Sequence, residues 1–141
     1  MAVVAAALPP DAALVVEVSN VRNGRGHVHV DLCPEGQFLT DNCQIAGNAP
    51  ARPGVTIVTF RNVPPGRYAA QVFHDENDDK KVDRALFGIP KEGVGFSRDA
   101  PIRLSAPKWG DAAFDHVREP QVIRLRMRYF LGPSGPAPAA H

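Results

Sequence analysis

The sequence predicts an all-β protein, a single antiparallel β-sandwich of about seven strands with long loops. Three observations predict it. Apolar residues recur with a period of two through several short runs, as strands with one buried face require. Fourteen prolines and twelve glycines fall mostly between those runs, where turns belong. No segment carries the 3.6-residue apolar period of an amphipathic helix.

The run 13–21, ALVVEVSNV, places Leu14, Val16 and Val18 on one face, and the turn RNGRG follows it. HVHVDLC, 27–33, alternates again, with Val28, Val30 and Leu32 inward and His27, His29 and Asp31 outward. The two runs read as a hairpin. Residues 34–54 have no clean period and contain Pro34, Pro50 and Pro53, so they read as a long loop with one helical turn near EGQFL. VTIVTFRNV, 55–63, and RYAAQVFHD, 67–75, flank a PPG turn and read as a second hairpin, with Val58 and Phe60 facing Tyr68, Ala70 and Val72. The stretch 85–101 holds too many glycines and prolines for a regular element, and DAAFDHV, 111–117, reads as a short strand. QVIRLRMRYF, 121–130, alternates most clearly: Ile123, Leu125, Met127 and Tyr129 inward, Arg124, Arg126 and Arg128 outward. Residues 13–131 form the domain, 1–12 a disordered leader or the remnant of a signal peptide, and 132–141 a flexible Gly/Pro/Ala-rich tail.

Sixteen basic against fifteen acidic residues give a formal net charge of +1, which argues against nucleic acid or another polyanion as the partner. The arginine stripe 124/126/128 then reads as the solvated face of the last strand. No stretch reaches the roughly 18 apolar residues of a membrane-spanning helix. His27 and His29 share a strand face at metal-ligand spacing but lack a visible third ligand, so they read as exposed polar positions. The serines sit in no nucleophile motif. The two cysteines, Cys33 and Cys43, read either as a disulfide in an oxidising compartment or as two reduced thiols.

The segment FHDENDDKKVD, 73–83, carries Asp75, Glu76, Asp78, Asp79 and Asp83. Like charges this close repel, so a compensating cation is the first expectation. Asp75, Asn77 and Asp79 occupy positions 1, 3 and 5 of a calcium loop, the Lys81 carbonyl position 7 and Asp83 position 9. Lys80 replaces the turn glycine at position 6 and Leu86 the bidentate glutamate at position 12, which excludes an EF-hand and leaves a looser calcium loop. The competing reading is a solvated acidic turn balanced by Lys80, Lys81 and Arg84. A hydrolase using the loop's carboxylates is the weaker alternative, because acid–base pairs need one member in an apolar pocket.

The run VPPGRYAAQVFHDENDDKKVDRALFGIPKEGVGFSRDAP, followed by GDAAF, resembles a bacterial family of small exported proteins known only as a domain of unknown function. The matching residues are His74, Asp75, Glu76, Asn77 and Asp83, then Gly88, Pro90, Glu92, Gly95, Phe96 and Ser97. Asp78 and Lys80 stand where the family commonly has glycines. The resemblance implies a periplasmic or secreted sandwich of transthyretin-like or immunoglobulin-like type, carries no established activity, and favours the Cys33–Cys43 disulfide. The expected protein is thus exported and non-catalytic, with calcium as a structural ion. The alternative is a cell-envelope module that binds a glycan or protein partner through loop 88–97 and Trp109, with Glu92, Phe96 and Trp109 facing the ligand.

Overall fold

The computed structural model describes residues 13–40, 42–78, 92–102 and 107–137. The expected leader 1–12, the candidate ligands Asp79, Lys81 and Asp83, most of loop 88–97 before Glu92, and the tail's last residues lie outside the described residues. Eight strands run in chain order: β1 (Leu14–Val21), β2 (His27–Cys33), β3 (Ile45–Pro50), β4 (Gly54–Phe60), β5 (Gly66–Asp75), β6 (Val94–Phe96), β7 (Ala113–His116) and β8 (Gln121–Arg126). One helical turn, α1 (Trp109–Ala112), precedes β7. The strands form a three-stranded sheet, β4-β1-β8, and a five-stranded sheet, β3-β2-β5-β6, with β7 also paired to β5. The fold is an all-β sandwich.

The period-two pattern becomes the core. Leu14, Val16, Val18 and Val21 of β1 and Val58 and Phe60 of β4 meet Val28, Val30 and Leu32 of β2 and Tyr68, Ala70 and Val72 of β5 in one buried cluster. Leu125 and Met127 complete it, with Ile123 and Tyr129 packed against it, while Arg124, Arg126 and Arg128 are exposed as their alternation predicts.

Neither expected hairpin forms. β1 lies between β4 and β8, and β2 between β3 and β5, so β1 and β2 sit in opposite sheets. The same holds for β4 and β5, whose inward residues meet across the sandwich rather than side by side. The alternation is the same in both arrangements, because an apolar strand face needs an opposing layer whichever strand lies beside it. β8 pairs with β1 in parallel, from Leu14↔Gln121 to Ser19↔Arg126, a departure from a purely antiparallel sandwich.

Two strands lie where none was expected. β3, IAGNAP, has only one large apolar residue and completes the sheet by pairing with β2. β6 is three residues long and pairs with Gln71–Phe73 of β5, while β7 occupies the same edge of β5 over Gly66–Ala69. A second apolar cluster of Ala69, Val94, Phe96, Ala100 and Ala112, with Phe38, Phe73 and Trp109 against it, covers the outer face of the five-stranded sheet. β5 is therefore buried on both faces, which is why Tyr68, Ala69 and Ala70 are consecutive buried residues.

Cys33 and Cys43 are joined in a disulfide that closes the segment between β2 and β3. A loop of about ten residues closed by a disulfide stabilises by about 3 kcal/mol in the chain-entropy model. Urea unfolding with and without reductant should show a loss of that order. Identical midpoints would mean that the unfolded chain gains nothing from the cross-link.

Candidate functional site

Among the described residues, the buried His74, Asp75 and Glu92 lie together at one end of the sandwich, where the turn after β1, the end of β5 and the segment after β8 meet. The approach depends on Gly26, at φ 67, where a Cβ would lie 1.8 Å from the carbonyl oxygen of Asp75. A glycine here lets the RNGRG turn lie directly on the last residue of β5.

His74 is fully buried, and its Nε2 lies 2.8 Å from the carbonyl oxygen of Arg25. A carbonyl only accepts, so Nε2 carries the proton and Nδ1 is bare. The Tyr129 hydroxyl, 2.9 Å from Nδ1, therefore donates to it and accepts the Arg22 backbone N–H at 2.9 Å. Both ring nitrogens of His74 and both roles of the Tyr129 hydroxyl, donor and acceptor, are thereby used. Burial pushes the His74 pKa down, so the ring is neutral at neutral pH, and burial pushes Tyr129 up to about 12.

Glu76 turns inward beside it. Arg22 grips its carboxylate with two bonds, Nε to Oε2 at 3.0 Å and Nη2 to Oε1 at 2.6 Å. Asn23 adds a third at 2.5 Å, Arg25 approaches at 3.3 Å, and the Glu76 backbone N–H donates to Glu92. Burial opposes ionisation of Glu76, but the Arg22 and Asn23 bonds outweigh it and hold the pKa down to about 2. Arg22 is raised by its bond to Glu76 and lies over the Tyr129 ring, 4.5 Å from its centre.

The remaining described acids of the loop behave differently. Asp75 is fully buried at the end of β5, with Oδ2 3.4 Å from His29 Nε2, and His29 stacks on Phe73. Asn77 and Asp78 are exposed, and Asp78 lies 2.7 Å from His27 Nδ1. The turn is tied by the Asp78 N–H to the Asp75 carbonyl at 3.4 Å. His27 and His29 thus each meet an aspartate, although among the described residues no three of His, Cys, Asp and Glu converge as a metal-binding group. Of the expected calcium ligands, Asp75 and Asn77 are placed here and Asp79, Lys81 and Asp83 lie outside the described residues.

Of the residues expected to face a ligand, Glu92 is buried and accepts the Glu76 N–H, and Phe96 is buried against Phe38. Trp109 is half-buried, donates to the Cys33 carbonyl at 3.0 Å and carries the Arg67 guanidinium 5.5 Å from its ring. Glu92 and Phe96 present no open face. Ser97 is likewise consumed: its hydroxyl accepts the Ala70 N–H and donates to the Ala112 carbonyl.

The chain matches the family model described as "Uncharacterized protein conserved in bacteria (DUF2141)" over residues 16–124, most of its length. The chain belongs to that family. No curated protein and no solved structure matches it. Among the described residues no helix is long and apolar enough to cross a membrane.

Sequence reasoning missed the Arg22–Glu76–His74–Tyr129 network. The signal present was two arginines in a five-residue turn and an inward tyrosine, but nothing local pairs Arg22 with a residue 54 positions away. Among the acids of this segment, for which the sequence leads one to expect a bound cation, Glu76 has Arg22 as its cation.

The network sets the pH dependence of stability. Glu76 and His74 both bind protons more weakly when folded, so the stability they contribute is present at higher pH and lost in acid. The His74 share is complete above the ordinary value of 6.5 and declines as pH falls through it. The Glu76 share is complete above 4.5 and lost as pH falls toward about 2. Tyr129 has the opposite sign: its share is complete below 10 and lost as pH rises toward about 12. Urea midpoints against pH should form a plateau between about 7 and 10. In Glu76→Gln the fall below pH 4.5 should be shallower; an unchanged acid limb would remove Glu76 as its source.

Proposed function

We propose that this protein is an exported, non-catalytic β-sandwich of the bacterial cell envelope, in which the acidic segment leaving β5 takes up calcium as a structural ion. The observation that carries the reading is the division of the acids at the end of β5. Glu76 is turned inward and neutralised by Arg22, whereas the Asp75–Asp78 turn opens the run that continues to Asp79 and Asp83 and places Asn77 and Asp78 in solvent. Glu76, the one described acid of the segment that arginine neutralises, is not among the residues at oxygen-ligand spacing, Asp75, Asn77, Asp79 and Asp83. Hard oxygen donors suit calcium, whereas zinc and copper favour Cys and His.

The disulfide supports an oxidising compartment, periplasmic or extracellular. The non-catalytic part is supported by how the reactive side chains are used: Glu76 is too strongly ionised to serve as a general acid near neutral pH, and both His74 nitrogens and the Ser97 hydroxyl are bonded within the fold. Loss of the turn glycine and the bidentate glutamate makes the calcium affinity modest, about 10⁻⁴ to 10⁻³ M, enough for an extracellular module. Calorimetric titration of chelator-treated protein with calcium should return a single site in that range, and no binding up to about 10 mM would sink the calcium reading. Export is tested separately by fractionating cells that make the full-length gene product and alkylating without reductant. Protein in the cytoplasm with two labelled thiols would contradict it.

A further inference from the structure

The run GPSGPA, 132–137, has the composition of a solvated linker, yet it is bonded to the end of β1. Arg22 Nη1 donates to the carbonyls of Leu131 at 2.6 Å and Pro133 at 3.0 Å. Asn20 Nδ2 donates to the Ser134 carbonyl at 2.8 Å and to that of Met127 at 2.9 Å. Asn20 is itself in the left-handed region, φ 61, at a register shift between β1 and β4, a conformation that asparagine tolerates better than most residues. That bulge turns its amide toward the tail. Gly135 comes so close that a Cβ there would lie 2.2 Å from Asn20 Oδ1. Between the turn and the seated tail a cleft of about 720 Å³ stays open, walled by Asn20, Arg22, Asn23 and Arg25 on one side and by residues 133–137 on the other.

All three tail atoms captured by Asn20 and Arg22 are backbone carbonyls. Prolines remove N–H groups that would need partners, while the glycines allow the bends at Leu131–Gly132 and Ser134–Gly135, Gly132 at φ 80, and the close approach to Asn20. These donors therefore select a bent, Gly/Pro-punctuated backbone rather than particular side chains. We propose that the 20–25 turn is a peptide-binding groove for such segments, and that its resident ligand is this chain's own residues 131–137. The seat is rigid because Arg22 is already fixed by Glu76. Tethering gives the tail a millimolar effective concentration, so a free peptide competes poorly until the tail is unseated.

A proline-specific endopeptidase acting after Pro133 and Pro136 reads the seating directly in the full chain. Cleavage should be at least about tenfold slower than in a free peptide of residues 130–141, because a seated segment must open before it is cut. Gly135→Val, which places side-chain atoms against Asn20, should bring cleavage close to the peptide rate while leaving the groove intact. The same variant should bind labelled 130–141 peptide in trans by fluorescence anisotropy, whereas the native chain should not. Asn20→Gly keeps the left-handed backbone but removes the donor, and should lose both tail protection and peptide binding. Circular dichroism establishes that each variant is folded. A native tail cut at the free-peptide rate would overturn the proposal by itself, whatever the variants do. So would a folded Gly135→Val chain that frees its tail yet binds no peptide, or an Asn20→Gly chain that keeps native protection.

Discussion

Glu76→Ala is expected to destabilise the domain by about 3–5 kcal/mol, the range for breaking a buried ion pair by removing one partner. The side chains of Arg22 and Glu76 are each 9% exposed, so alanine leaves a guanidinium in a desolvated site with only part of its acceptors. Arg22→Ala should cost a similar amount for the mirror-image reason. The double variant should cost less than the two single losses added together, by about 0.5–3 kcal/mol, because the second change removes a group already stranded by the first. Asp78→Ala is the matched control two residues away: its side chain is 54% exposed and its His27 pair is a surface one, so about 1 kcal/mol or less is expected. Denaturant unfolding of the four variants decides the matter. Equal effects for Glu76→Ala and Asp78→Ala would place the Arg22 pair in solvent rather than in the sandwich end.

The second large effect is at Leu125. It is 2% exposed on β8, and its side chain joins the cluster between the two sheets. Leu125→Ala removes buried methyl groups and leaves a cavity, expected to cost about 2–5 kcal/mol. Its neighbours Arg124 and Arg126 point the other way and are exposed, as is Arg128 beyond the strand. Replacing all three by glutamine should change stability by about 0.5 kcal/mol per site or less. Arg124 also pairs with Glu17 at 3.2 Å, but that pair is largely exposed and contributes little. A triple-glutamine variant that unfolds while Leu125→Ala stays stable would invert the facing of β8.

The faces of the strands were legible because burial imposes a period that survives any choice of neighbour: β1, β2 and β4 bury the residues their alternation marks, and β8 buries Leu125 and half-buries Ile123. Pairing was not legible. β1 and β2 look like a hairpin because RNGRG is a good turn, but that turn carries the chain across the sandwich and delivers Arg22 to Glu76. β3 was hidden because an edge strand of small residues needs no apolar alternation when one neighbour, β2, supplies its hydrogen bonds. At the candidate site the sequence singled out the segment 73–83 and assigned its acids one shared role, whereas the described ones have separate partners. Asp75 meets His29, Glu76 meets Arg22 and Asp78 meets His27, and each partner lies on the chain before residue 30. Such pairings depend on register between β2 and β5, His27↔Asp75 among them, which no local pattern encodes.

The most direct test of the proposed calcium loop is the melting temperature in chelator and in 10 mM calcium, for the native protein and for Asp79→Asn/Asp83→Asn. At about a hundredfold excess over a dissociation constant of 10⁻⁴ M, a bound ion adds about 2.7 kcal/mol, which in a domain of this size raises the midpoint by several degrees. The native protein should show that rise, magnesium at the same concentration should give much less, and the double variant should show none. A native melting temperature that is the same in chelator and in calcium would contradict the calcium loop and leave the acids after β5 as a solvated turn.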